Sequence, residues 1–210
     1  MTGRSAKNDE QMARLLWASA TTFADLCELS AQYVGGELAF SPSQGGAIDE
    51  ETSEIALPVA ALNRAGLLTS CSQPALMDGD VAQRAFVDGL APESTALEFA
   101  TRSLYADILI FVVPPLYERG YMVPVTRTDG HPHTWIGHCN PEMRAHELEQ
   151  YRAVCHPSAV SELEAAWYVA AIDLSWGRKE HLWRLLLEAP RSGYTARPDP
   201  DLGIDHEFYF

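Results

Sequence analysis

Apolar positions recur at spacings of three and four from Leu15 to Tyr33, through Leu16, Trp17, Phe23, Leu26, Leu29 and Ala31. That is one face of an amphipathic helix, and Gly35-Gly36 stops it. Inside the run, Thr22-x-x-Asp25 has the form of a short capping signal and marks a break and restart. The polar residues 1–9 ahead of it read as a flexible N-terminus. Residues 37–48, rich in Ser, Pro and Gly, read as a loop. Asp49 then stands as an N-cap, with Glu50 and Glu51 at the positive end of the helix dipole. Ile55, Val59 and Leu62 share a face, Gly66 fits the C-terminal cap, and Pro58 implies a kink or a restart near Leu57.

From Leu67 the period shortens. Leu67–Gln73 reads as a strand, ALMDGD as a loop, and Ala82–Leu90 as a returning antiparallel strand. Pro92-Glu93-Ser94 opens a helix through about Tyr105, and ADILIFVVPP follows as a buried strand. YMVPVTRT and HTWIGH form a hairpin across Asp129-Gly130. Helices are expected over 142–154 and 157–164, a strand over AWYVAAIDL, and a last helix over RKEHLWRLLLEA. Helices mixed with hairpin-like strands give the α+β class: one domain over 10–190, a mixed, mostly antiparallel sheet packed against helices, and a C-terminal extension over 191–210.

Bulk properties narrow the function. With 47% hydrophobic and 21% charged residues, 210 residues suffice for a core without disulfides or metal. The net charge of −14 argues against nucleic acid and against anionic membranes, both of which ask for Lys and Arg. The longest apolar run, Ile108–Val113, falls far short of the roughly 20 residues that span a bilayer. No apolar signal segment opens the chain, so a cytoplasmic protein is expected, with Cys27, Cys71, Cys139 and Cys155 as reduced thiols.

Polar side chains concentrate between Leu62 and Leu90. If Leu67–Gln73 and Ala82–Leu90 pair, Ser72 and Gln73 meet Gln83 and Arg84 at one sheet edge, with Asn63 and Arg64 close by at a helix end. Amides both donate and accept, and Arg presents a planar fork to a carboxylate or phosphate. The same residue types also serve as loop caps and turn stabilisers. Arg178, after Gly177, is a further anion contact. Glu51 is the candidate general base, because burial tunes carboxylates toward neutrality.

Other constellations are weaker. His131, His133, His138, Cys139, Cys155 and His156 match no standard zinc spacing, so no metal is expected. Cys71 sits in a strand-like run, where a cysteine is more often a small buried hydrophobe than a nucleophile. Neither a Walker sequence nor G-x-G-x-x-G occurs, and no cofactor is expected.

A set of short motifs nevertheless spans most of the chain: Trp17-Ala18, Asp25-Leu26, Glu28-Leu29, Glu51-Thr52, Asn63-Arg64-Ala65-Gly66, Thr69-x-x-Ser72-Gln73-Pro74, Gln83-Arg84-Ala85-x-Val87-x-Gly89, Trp167 and Gly177-Arg178-x-x-x-Leu182-Trp183. The pattern resembles a family of uncharacterised proteins of actinobacteria and their phages, with Ala75 where that family often has Gly. The resemblance implies a single cytoplasmic domain and supplies no activity. Two functions therefore stand as expectations. One is a small-molecule-binding protein, an enzyme on a small polar metabolite of nucleotide- or amino-acid-like character. The other is a protein-interaction module, such as a phage-encoded inhibitor or regulatory subunit, whose apolar end Phe208-Tyr209-Phe210 serves a partner or a homodimer.

Overall fold

A computed structural model of the chain describes residues 3–102 and 107–188. Among these, the elements run α1 (Gly3–Ser19), α2 (Phe23–Val34), α3 (Glu50–Glu54), α4 (Ala56–Arg64), β1 (Leu68–Gln73), β2 (Leu76–Asp78), β3 (Val81–Gln83), β4 (Phe86–Ala91), α5 (Glu93–Arg102), β5 (Ile108–Val113), β6 (Val123–Thr128), β7 (His131–Ile136), α6 (Pro141–Arg152), α7 (Pro157–Ala165), β8 (Trp167–Asp173) and α8 (His181–Leu187). The fold is a single α+β domain with two four-stranded antiparallel sheets, ordered β1-β4-β8-β5 and β2-β3-β6-β7.

The first sheet divides the interior. Alternation along β8 turns Tyr168, Ala170 and Ile172 to one side, where they join Trp17 of α1, Leu26 of α2, Tyr151 of α6, Leu163 of α7 and Val125 of the second sheet. Val169 and Ala171 turn to the other side, against Leu62 of α4, Phe99 of α5 and Leu182 and Leu186 of α8. Both faces of β8 are therefore covered, and its apolar run is continuous. Among the described residues, no helix is long and apolar enough to cross a membrane.

Local signals act as written in several places. Thr22 and Asp25 form a full capping box, which breaks the long amphipathic run into α1 and α2. Pro58 falls in the first turn of α4, where a missing N–H costs nothing, and the chain breaks between α3 and α4 at Ile55. Asp129 and Gly130 take φ of 51° and 77°, the left-handed pair that a two-residue hairpin requires.

Four expectations need correction. The helix begins at Gly3, not after residue 9, because Lys7, Glu10 and Gln11 are good helix formers. ALMDGD is not a loop but the β2–β3 hairpin, turning at Gly79 with φ of 53°. Ala82–Leu90 is two strands in two sheets. Ala85, Phe86 and Val87 are buried in succession, which a single half-exposed strand does not allow, and the chain changes sheets at Arg84-Ala85. The single sheet is accordingly two. The last helix is shorter than its apolar pattern, starting at His181. The stretch 103–105 of the helix expected through Tyr105, the extension over 191–210 and Phe208-Tyr209-Phe210 lie outside the described residues.

Candidate functional site

The outer strand β1 carries a bulge at Ser70, between the pairs Thr69↔Gly89 and Cys71↔Asp88. Gly89 makes room for it. A Cβ there would lie 2.1 Å from the Leu68 carbonyl oxygen and 2.8 Å from Thr69 Cα. Bulges re-aim side chains, often beside functional sites, and this one sends the Ser70 hydroxyl to the Glu147 carboxylate on α6. The next residue, Cys71, donates its backbone N–H to Asp88 Oδ1 at 2.9 Å, while the Tyr168 hydroxyl donates to Asp88 Oδ2 at 2.9 Å. Two carboxyls from β4 and α6 are thus gathered beneath one irregular strand.

Their environment moves their proton affinities. Burial lifts Asp88 to about 7, and the charge of Glu147 pushes the same way, against the bonds from Tyr168 and Cys71. Burial also raises Glu147, opposed by the Ser70 hydroxyl and by Arg144. At neutral pH, Asp88 is therefore divided between acid and carboxylate, the condition for both giving and taking a proton. Cys71 goes the other way from a nucleophile. Burial of its thiol and the neighbouring Asp88 push it up to about 12. The residue as a whole remains exposed, so it is the direction of that rise, more than its extent, that disfavours a thiolate.

Outside β1 lies a cleft of about 80 Å³, lined by Tyr33, Gln44, Asp49, Thr52 and the run Ser70–Ser72 among others. It accepts a substituent, not a whole ligand of the size that fills pockets of roughly 300–1,000 Å³. Gln44 Nε2 closes its rim on the Ser70 carbonyl at 2.8 Å.

Of the residues singled out from sequence, Ser72 lines this cleft. Asn63 stands behind it, fully buried. Its Nδ2 donates to the Val59 carbonyl (2.9 Å) and to Thr69 Oγ1 (2.8 Å), and its Oδ1 accepts the Thr69 N–H (3.0 Å). Asn63→Ala is expected to lower stability by about 2–3 kcal/mol, since it strands the Thr69 N–H in the interior; urea denaturation reads this directly.

Gln73 joins the two sheets. Its Nε2 donates to the Arg84 and Val125 carbonyls at 3.1 and 3.2 Å, and its Oε1 accepts from Thr126 Oγ1 at 3.1 Å. Gln83 is buried, and its carbonyl takes the Gly177 N–H at 2.9 Å. Arg84 donates Nη1 to the Pro124 carbonyl at 2.8 Å and lies over the Trp176 ring. Arg178 forks onto the buried Asp173, with both bonds 2.7 Å. The structure thus brings Gln73, Gln83, Arg84 and Arg178 together at the junction of the sheets. It leaves Arg64 apart, exposed and paired with Glu28 at 3.2 Å. Glu51 is exposed on α3, next to Thr52 of the cleft.

His131 and His133 stand exposed on β7, His138 meets Asn140, and His156 caps α7 by accepting the Ser158 N–H. Among the described residues, no group of three metal-ligating side chains is close enough to hold an ion. Sequence reasoning passed over Asp88, Glu147 and Tyr168. The available signal was the lone acid in AFVDGLA, since an apolar strand does not bury a carboxyl without partners.

Residues 12–192 match the family model described as Domain of unknown function (DUF6919). No curated protein matches the chain.

Proposed function

Because the chain belongs to the DUF6919 family, whose description carries no activity, its own residues must supply the reading, and we propose an enzyme that binds a small polar metabolite and moves a proton on it at the edge of β1. The observation that carries this is the half-buried pair Asp88 and Glu147, bonded to Cys71 and Ser70 of the bulged strand whose residues Ser70–Ser72 line the cleft. Two adjacent carboxyls with unequal surroundings are a general arrangement for acid and base roles. Asp88 is the exchanging group. The Tyr168 hydroxyl and the Cys71 N–H hold its orientation. Glu147, tied to Ser70, tunes it by charge. The base role assigned from sequence to Glu51 passes to Asp88, because Glu51 is open to solvent. Thr52, Gln44 and Ser72 would read the polar edge of a nucleotide- or amino-acid-like substrate. The resemblance to actinobacterial and phage proteins supports a cytoplasmic setting for this reading.

A thermal-shift panel of nucleosides, nucleotides and amino acids identifies the compound that raises the melting temperature. With that compound, Asp88→Asn is expected to bind and to lose turnover by about 10²–10⁴-fold. Turnover that survives both Asp88→Asn and Glu147→Gln removes the acid–base role.

The interaction-module reading is favoured by one observation. Leu116, Tyr117, Tyr121 and Met122, between β5 and β6, are all exposed, and exposed apolar side chains gathered in one patch mark interaction sites.

A further inference from the structure

The junction of the two sheets holds a second feature, independent of the carboxyl pair. The guanidinium carbons of Arg84 and Arg127 lie 4.1 and 4.5 Å from the centroid of the same ring, that of Trp176. Two like charges held on one indole repel each other, and in a chain of net charge −14 carboxylates are plentiful enough to relieve them. Yet among the described residues neither arginine has a carboxylate within ion-pair distance. Asp173, the buried acid whose charge acts on Arg84, is already committed to both arms of Arg178 and to the Ser175 N–H.

Their donors are also underused. Arg84 spends Nη1 on the Pro124 carbonyl, and its buried Nε has no partner. The Arg127 guanidinium makes no hydrogen bond to the described residues. Burial and the neighbouring Arg127 pull the Arg84 pKa down, and the charge of Asp173 offsets this only in part.

The frame that holds them is rigid. The Gly177 N–H is fixed to the Gln83 carbonyl (2.9 Å), the Arg84 N–H to Val125 (2.8 Å) and the Asp173 N–H to Ala85 (2.9 Å). Arg127 is set by β6, whose neighbours are β3 and β7. Three separate segments therefore bring two planar cations to one ring with no carboxylate in direct ion-pair contact among the described residues. Such pre-organisation lowers the entropy lost on binding.

We propose that Arg84, Arg127 and Trp176 form a binding site for a phosphate group, carried as inorganic phosphate or as a phosphomonoester. Two guanidinium forks complement a dianion in charge and in hydrogen-bond geometry, where a single carboxylate would use only one of them. The indole holds the forks in place and is itself covered by them. The site stands whether or not Asp88 acts on a substrate.

Isothermal titration of the full chain with sodium phosphate, against sodium chloride at matched ionic strength, tests this. Saturable binding with a Kd below about 1 mM is expected, weakened by about tenfold or more in Arg127→Gln and in Arg127→Lys, with an unchanged melting temperature. The Lys variant keeps the charge and loses the fork. A nucleoside monophosphate that binds more tightly than inorganic phosphate assigns the ligand as an ester, and equal affinity assigns it as free phosphate. The proposal is overturned if no saturable binding occurs, if chloride reproduces the heat, if acetate binds as well as phosphate, or if Arg127→Gln binds like the parent.

Discussion

Asp88→Asn is expected to flatten a fall in stability that is expected of the parent protein between about pH 4 and pH 7. The Asp88 carboxyl titrates near 7 in the folded chain, against 3.8 for an ordinary aspartate. Below pH 4 both folded and unfolded chains hold the proton, and the group contributes nothing to the slope. Between the two values the folded chain binds more protons than the unfolded one, so stability falls as pH rises, and the loss is complete above pH 7. A displacement of this size corresponds to a few kcal/mol at most. The amide has no charge to bury, and it gives up one good acceptor for Tyr168 or Cys71, at about 1 kcal/mol. The variant should therefore be slightly weaker than the parent at pH 4 and stronger at pH 8. Urea midpoints at pH 4, 6 and 8 read the crossing. Glu147, also raised by burial, leaves a slope of the same sign in the variant. Hydrogen-bonded carboxylates such as Asp25, whose pKa is lowered by the Thr21 N–H and its neighbours, act oppositely at acid pH and cancel in the comparison. Parallel curves for parent and variant would show that Asp88 is not the buried titrating group.

Gly89→Ala has the second large effect, for a steric reason. The new methyl would meet backbone, not a side chain that can swing aside. The strand β1 must then move off β4, or the bulge at Ser70 must open. Overpacking against fixed backbone is expected to cost about 3 kcal/mol or more. Gly120 is the control. It has nothing within 4 Å of a built Cβ and no positive φ, so Gly120→Ala should change stability by no more than about 0.5 kcal/mol. Equal urea midpoints for the two variants would mean that β1 yields freely and that the bulge is not held by Gly89. If Gly89→Ala folds but loses turnover, the bulge geometry itself matters, because Ser70 and Glu147 separate when it opens.

Much of the architecture is legible in short stretches of sequence. Thr22 with Asp25, Pro58 in a first turn, and Asp129-Gly130 each act through backbone chemistry within four residues, so no distant partner is needed to read them. The division of Ala82–Leu90 is a different matter. Which sheet a strand joins depends on what packs on it, and only the succession of Ala85, Phe86 and Val87 hints at the change. The crowd of polar residues from Asn63 to Arg84 is a true feature of the chain. Asn63 spends its amide on Val59 and Thr69, tying α4 to β1, and Gln73 spends its own on Arg84, Val125 and Thr126, because a chain crossing from one sheet to another leaves backbone groups that strands cannot satisfy. Asp88 was visible as an acid in an apolar strand. Its partners Tyr168 and Glu147 come from the far end of the chain, and no local pattern announces them.

The position of β8 also dictates when the protein can become itself. It is the last strand among the described residues, yet it lies between β4 and β5, pairing with both along their length. During synthesis, residues 68–113 emerge with β1 and β4 able to pair and β5 without a neighbour. The hydrogen-bonding edges of β4 and β5 stay bare until Trp167–Asp173 leaves the ribosome and fills the slot. Contacts between such distant segments make assembly slow, and unpaired apolar edges are where nascent chains stick to one another. Asp88 acquires its Tyr168 partner in the same event, so the carboxyl pair comes into being only with the closing strand.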